Sequence, residues 1–163
     1  MAMKDLGDLF EHTLKDIYYA EKKIEKELPK MAKKADSADL RKAFEEHHEE
    51  TKEQIENLEK IFKELDMKAE GEKCEAIEGI LKEAKHVMDE IEDKDALDAG
   101  MIAWAQAVEH CEITRYGTLV AWAKRLGKPK KVIDLINENL DQEYAADRKL
   151  TDMATDDLNK QAA

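Results

Sequence analysis

The chain has little of what a β-rich fold is made from. Its 163 residues include six Gly, two Pro and only 6% aromatics, whereas strands draw on aromatic and β-branched residues set between Gly- and Pro-rich turns. It has two cysteines, Cys74 and Cys111, in segments read below as separate helices, with no second Cys or His at metal-motif spacing in a loop. A disulfide scaffold and a thiolate zinc site are therefore excluded, and two reduced thiols are expected. The longest uncharged apolar stretch, Ala99–Val108, is far short of the ~20 residues that cross a bilayer. Met1–Phe10 is amphipathic and lacks the continuous apolar run of a secretory signal. Positive charge is in deficit too, the formal net charge being −12. Binding to phosphate backbones or anionic lipid needs an excess of Lys and Arg. Nucleic acid and membrane are thus excluded as partners, and the expected compartment is the cytoplasm.

What is abundant is Ala, Glu, Lys and Leu, with charged residues at 40%, a composition that belongs to long helices. Four breaks divide the chain. Asp36-Ser37 is a helix-start pair, Gly71 follows Leu65-Asp66-Met67, Asp93-Lys94-Asp95 offers Asp93 or Asp95 as an N-cap, and Gly127-Lys128-Pro129 ends one helix and opens another. Five helices follow, at about 4–34, 37–66, 73–91, 95–126 and 129–158, within one domain spanning 1–163. Pro29 falls inside the first and predicts a kink or an early end. The fold class expected is all-α.

Four of these helices carry apolar stripes stepping by three or four residues. Leu14, Ile17, Ile24 and Leu28 mark the first, and Leu40, Phe44, Leu58 and Phe62 the second. Met101, Ala105, Val108 and Leu119 mark the fourth, and Val132, Ile136 and Leu150 the last. Each stripe is interrupted near its middle by ionisable residues. Glu21 sits between Ile17 and Ile24; His47 and Glu50 follow Phe44; Glu109 and Glu112 follow Ala105; Glu143 and Asp147 follow Asn139. Spacings of three or four place each pair on one helix face, so four helices send acids or an imidazole toward one level of a shared core.

Singly, each position has an ordinary reading. A Glu often lies beside a core, His48 rivals His47, and Glu49 rivals Glu50. His110 or Arg115 could pair with Glu109 and Glu112, and Asp147 could bridge to Arg148 or Lys149. Coincidence in all four long helices is harder to obtain by chance. Buried like charges cost several kcal/mol each and raise one another's pKa. Divalent cations remove both costs, and the two-metal carboxylate bundle is built from such single acids and paired ligands.

Four runs carry a resemblance to a known family. They are Leu14-Lys15-Asp16-Ile17-Tyr18-Tyr19-Ala20-Glu21, then Ala43-Phe44-Glu45-Glu46-His47 with Glu50-Thr51-Lys52-Glu53-Gln54, then Val108-Glu109-His110-Cys111-Glu112-Ile113 with Tyr116-Gly117-Thr118-Leu119, and finally Leu140-Asp141-Gln142-Glu143 through Asp147 to Thr151. With them the chain resembles the YciE/YciF group of ferritin-like stress proteins over nearly its whole length. The resemblance implies a ferritin-like four-helix bundle, with the segment 73–91 as an added short helix in the long crossover. It also implies a homodimer, a di-iron-type site and a bacterial stress response. The second helix reads His-x-x-Glu at 47 and 50, not the Glu-x-x-His order of ferritins, and Glu143 is followed by Asp147 and no histidine. So few imidazoles leave the two metal ions open between iron and manganese.

The expected ligands are Glu21, His47, Glu50, Glu109, Glu112, Glu143 and Asp147. Three functions follow: a dinuclear metal protein whose redox chemistry takes dioxygen or peroxide as a small-molecule oxidant, a metal store without turnover, and a metal-free helical interaction module. Hydrolytic chemistry has no support, because the hydroxyls lack a His and acid nearby and no Gly-rich phosphate loop is present.

Overall fold

A computed structural model of the chain describes residues 3–163, so Met1 and Ala2 of the amphipathic start lie outside the described residues. The helices are α1 (Leu6–Lys34), α2 (Ala38–Glu64), α3 (Glu75–Glu90), α4 (Lys94–Arg125) and α5 (Lys130–Met153). Among the described residues there is no strand, and no helix is long and apolar enough to cross a membrane.

The caps account for the boundaries. Asp5, Ser37 and Asp93 each accept a backbone N–H from the first turn of the helix they start, which fills one of the donors a helix end leaves open. At the α4–α5 corner Gly127 takes φ +62, and Lys128 N–H returns to the Ala123 carbonyl at 2.9 Å. Glycine enters that left-handed conformation without the steric cost of a Cβ.

Helices α1, α2, α5 and α4 follow one another around a four-helix bundle, each packed on the next and α4 closing back on α1. The α1–α2 and α4–α5 corners are short, so each of those pairs is antiparallel. Between α2 and α4 the chain must return along the bundle, and α3 lies within this crossover, packed on α4. Glu72 N–H ties the crossover to the Lys15 carbonyl at 3.1 Å, while Lys34–Asp89 and Lys94–Asp36 pairs fasten its far end. Gly71 passes so near α1 that an added Cβ would lie 3.0 Å from Tyr19 Cβ and 3.2 Å from Tyr19 Cα. The result is the ferritin-like four-helix bundle with a short helix in the long crossover.

The expected end of the first helix at 34 holds, and one feature, at the end of the last helix, differs from the sequence reading. Helix α1 does not end at Pro29 but continues to Lys34. Pro29 is only half-buried, so the backbone carbonyl that loses its donor there is not sealed in the core. The last helix stops being α-helical at Met153, and a π-helical turn, Ala154–Leu158, leads into a final short turn at Asn159–Gln161. The Thr155 hydroxyl donates to the carbonyl of Thr151 at 2.9 Å and competes with the helical ladder. The wider turn keeps Ala154 and Leu158 on the buried face.

Candidate metal centre

The apolar stripes meet along the bundle axis, and the ionisable residues meet with them. Glu21 on α1, Glu109 and Glu112 on α4, and Glu143 on α5 are each no more than 2% exposed, and His47 on α2 is 8% exposed. His47, Glu109, Glu112 and Glu143 each offer one ligand atom within 4.8 Å of the others'. Glu21 adjoins this group through Glu112 and His47. All four bundle helices contribute, as the stripe interruptions require.

The other named positions are placed differently. His47 faces the core, while His48 and Glu49 face outward as a pair. The Glu50 carboxylate is 44% exposed and approaches His47 Nδ1 at 3.3 Å, touching the cluster from its rim. Asp147 is not gathered into the group: it accepts from Gln106 Nε2 at 3.1 Å and pairs with His110 Nε2 at 3.2 Å. Those two α4 residues lie off the buried stripe of α4, and they draw the Asp147 side chain with them.

A ring of neutral polar residues holds the acids from behind. Gln54 donates to Glu143 Oε1 at 2.6 Å. Tyr116, fully buried, donates to Glu21 Oε1 and receives Asn139 Nδ2 at 3.0 Å. Asn139 is itself fixed by Asn57 at 3.0 Å. The sequence reading passed over Gln54 and Asn57. Their signal is that Gln54 lies two helical turns beyond His47 on the same buried stripe, and Asn57 one turn further.

Many polar atoms remain without a partner. Glu21 Oε2, Glu109 Oε2, both oxygens of Glu112, Glu143 Oε2 and His47 Nε2 are buried and make no hydrogen bond. His47 Nε2 stands 3.0 Å from Glu109 Oε1, within ion-pair distance but out of hydrogen-bond alignment. Burial, with the charges of neighbouring acids, pushes Glu112 and Glu143 far above the usual carboxylate range. Burial also lifts Glu21 to about 7, against the opposing pull of the Tyr116 hydrogen bond. For His47, burial favours the neutral ring, but Glu109, Glu50 and Glu21 overcome it and raise the imidazole to about 10. Glu109 is correspondingly lowered, because the His47 charge outweighs burial.

These shifts set the pH response of the metal-free protein. Glu21 gains protons on folding between 4.5 and about 7, and His47 between 6.5 and about 10. The stability each contributes is complete below its ordinary pKa and is lost as pH rises through the folded one. Chelator-treated protein should therefore melt at a lower temperature at pH ~9 than at pH ~6. Thermal melts at constant ionic strength measure this, and a melting point that climbs across the interval would contradict it.

An apolar cavity of about 120 Å³ adjoins the cluster. Ile24, Phe44, Ala105 and Val108 supply walls, Leu81 reaches in from α3, and His47 and Glu109 line it as well.

Fold and site together define a ferritin-like helical bundle with a buried acid–imidazole cluster at its centre. The chain belongs to the DUF892 family, a domain of unknown function whose model matches residues 5–163. It is 42% identical to protein YciF of Escherichia coli (strain K12) over 163 residues, covering 99% of this chain and 98% of that protein. The crystal structure of that stress protein superposes with a TM-score of 0.91 over 97% of this chain and 99% of the other. The structure of YcfI from Rhodopseudomonas palustris matches at 49% identity with a TM-score of 0.89, over 91% of this chain and 94% of the other.

Proposed function

We propose that this member of the YciF stress-protein family holds a pair of iron or manganese ions at Glu21, His47, Glu109, Glu112 and Glu143, and that the loaded protein reacts with dioxygen or peroxide. The observation that carries the reading is the convergence of buried acceptor atoms with nothing to accept from: Glu21 Oε2, Glu109 Oε2, Glu143 Oε2 and both oxygens of Glu112. A fold does not retain several such atoms in one place without a compensating partner, and oxygen donors with one imidazole suit hard or borderline divalent ions. Bound iron or manganese would supply one-electron redox chemistry among ligands that suit more than one oxidation state.

The protein's own residues prepare the site. Glu50 engages His47 Nδ1 and leaves Nε2 directed at Glu109 and Glu143, the arrangement that fixes a metal-ligating imidazole. Gln54 occupies one oxygen of Glu143 and Tyr116 one oxygen of Glu21, so each keeps its second oxygen free. The apolar walls beside His47 and Glu109 suit entry of a small uncharged oxidant and limit water.

Elemental analysis of protein grown without chelators tests this. The wild type should carry about two equivalents of iron or manganese per chain, and a Glu21→Ala/Glu143→Ala double variant should carry almost none. Loss of ferrous iron on adding peroxide, followed by absorbance, then separates redox chemistry from storage. A folded wild type that arrives metal-free and binds none on titration would sink the reading and leave a helical module acting through its surface.

A further inference from the structure

Both cysteines lie outside the acid cluster, and the fold brings them together. Cys74 is the N-cap residue of α3, fully buried, and its Sγ accepts the Ile77 N–H at 3.4 Å. Cys111 lies on α4, the helix α3 packs against, and is partly exposed. One turn beyond Cys111, Arg115 reaches back so that its Nη2 stands 3.7 Å from Cys74 Sγ while its Nε holds Asp16 at 2.6 Å. The Arg115 contact, one turn from Cys111, sets the Cys111 segment of α4 against the Cys74 sulfur, and both thiols are free.

We propose that Cys74 and Cys111 form a reversible intramolecular disulfide in response to hydrogen peroxide, fastening the crossover helix α3 to α4. The inference stands apart from the metal reading, since neither sulfur belongs to that cluster. A reactive thiol needs a stabilised thiolate and a second thiol in reach. The Cys111 thiol donates toward Cys74 and, against burial, lowers it to about 7; the Ile77 N–H assists and Asp16 opposes. The guanidinium of Arg115 adds a positive group beside the sulfur. Peroxide, small and uncharged, reaches the pair from the Cys111 side.

The chemistry balances with peroxide as the only co-reactant. The Cys74 thiolate attacks one peroxide oxygen and breaks the O–O bond, giving a sulfenic acid and a hydroxide that takes up the former thiol proton as water. The Cys111 sulfur attacks the sulfenic sulfur, forming the S–S bond. The displaced hydroxyl leaves with the Cys111 proton as a second water. Two thiols lose two electrons and two protons, and one peroxide becomes two waters. A thiol reductant restores the pair.

The test treats full-length protein with peroxide, metal-free and iron-loaded in parallel, then quenches by alkylation under denaturing conditions. In the metal-free sample, intact mass should fall by two hydrogens. A non-reducing peptide map should join the Cys74 and Cys111 peptides, and dithiothreitol should reverse both. In Cys111→Ala the reaction should halt at a Cys74 sulfenic acid that dimedone captures. Full alkylation of both thiols in peroxide-treated wild type would overturn the proposal, as would cross-links found only between chains. The wild-type map decides the matter even if the variant fails to fold. A disulfide in protein that takes up no iron in the loading arm would leave this inference standing while the metal reading fails.

Discussion

Glu112→Leu is expected to make the metal-free protein more stable, by about 1–3 kcal/mol, and to abolish its stabilisation by metal. Glu112 is fully buried, neither of its oxygens has a hydrogen-bond partner, and Glu21 and Glu109 add repulsion to the cost of burial. Leucine of similar volume removes an unsatisfied polar group and takes away little packing. In the wild type a metal at 100 times its Kd should add about 2.7 kcal/mol to unfolding, whereas the variant should show almost none of that gain. Denaturant unfolding in chelator and in manganese(II), on both proteins, gives the four numbers. A variant that is less stable than wild type without metal would mean that Glu112 has a structural partner the orphaned oxygens do not reveal. Equal metal stabilisation in both would remove Glu112 from the ligand set.

Asp98→Ala should lower stability by about 3 kcal/mol, roughly 6–12 °C in melting temperature for a domain of this size. Asp98 is 2% exposed on α4, and its two carboxylate oxygens accept the backbone N–H groups of Asp36 and Ser37 at 2.9 and 2.7 Å. Those donors form the α1–α2 corner, where Ser37 caps α2. One side chain therefore ties three bundle helices at one end, and truncation leaves two backbone N–H groups of this partly buried corner without their acceptors. A carboxylate near a helix start also favours the positive end of the helix dipole. Asp98→Asn keeps one acceptor oxygen and should cost about half as much. A melting point unchanged by Asp98→Ala would show that water replaces the carboxylate there at no cost.

Asp98 shows where sequence reading lost its grip. Three of the bundle helices, α1, α2 and α5, have one apolar face and one charged face, so a Glu at position 21 or a His at 47 stands out as an interruption. Helix α4 packs on α1 and α5 inside the bundle and on α3 outside it, so apolar residues also lie outside its Met101–Ala105–Val108–Leu119 stripe and its inner face stands out less. In that helix Asp98 looks like any acid near a helix start. Glu109 and Glu112 were legible because three other helices mark the same level. Asp147 lies apart from the cluster for a related reason: four residues after Glu143, it shares the helix face, but partners on α4 that spacing does not register turn it aside. Glu50 keeps the predicted neighbour, His47, yet stands at the water's edge. The neutral ring of Gln54, Asn57 and Asn139 was quietest of all, since amides at a boundary are ordinary until their acceptors are located.

The makeup of the cluster carries a consequence for how it would fill with the proposed ions. Glu21, Glu109, Glu112 and Glu143 are four acids, and His47 is the one imidazole gathered with them. Fully ionised, with the ring neutral, the acids sum to four negative charges, which two doubly charged ions cancel. A single ion would leave half of that charge enclosed in a low-dielectric core, to be neutralised by retained protons. Filling is therefore expected to be all-or-none, the first ion improving the site for the second as protons are expelled.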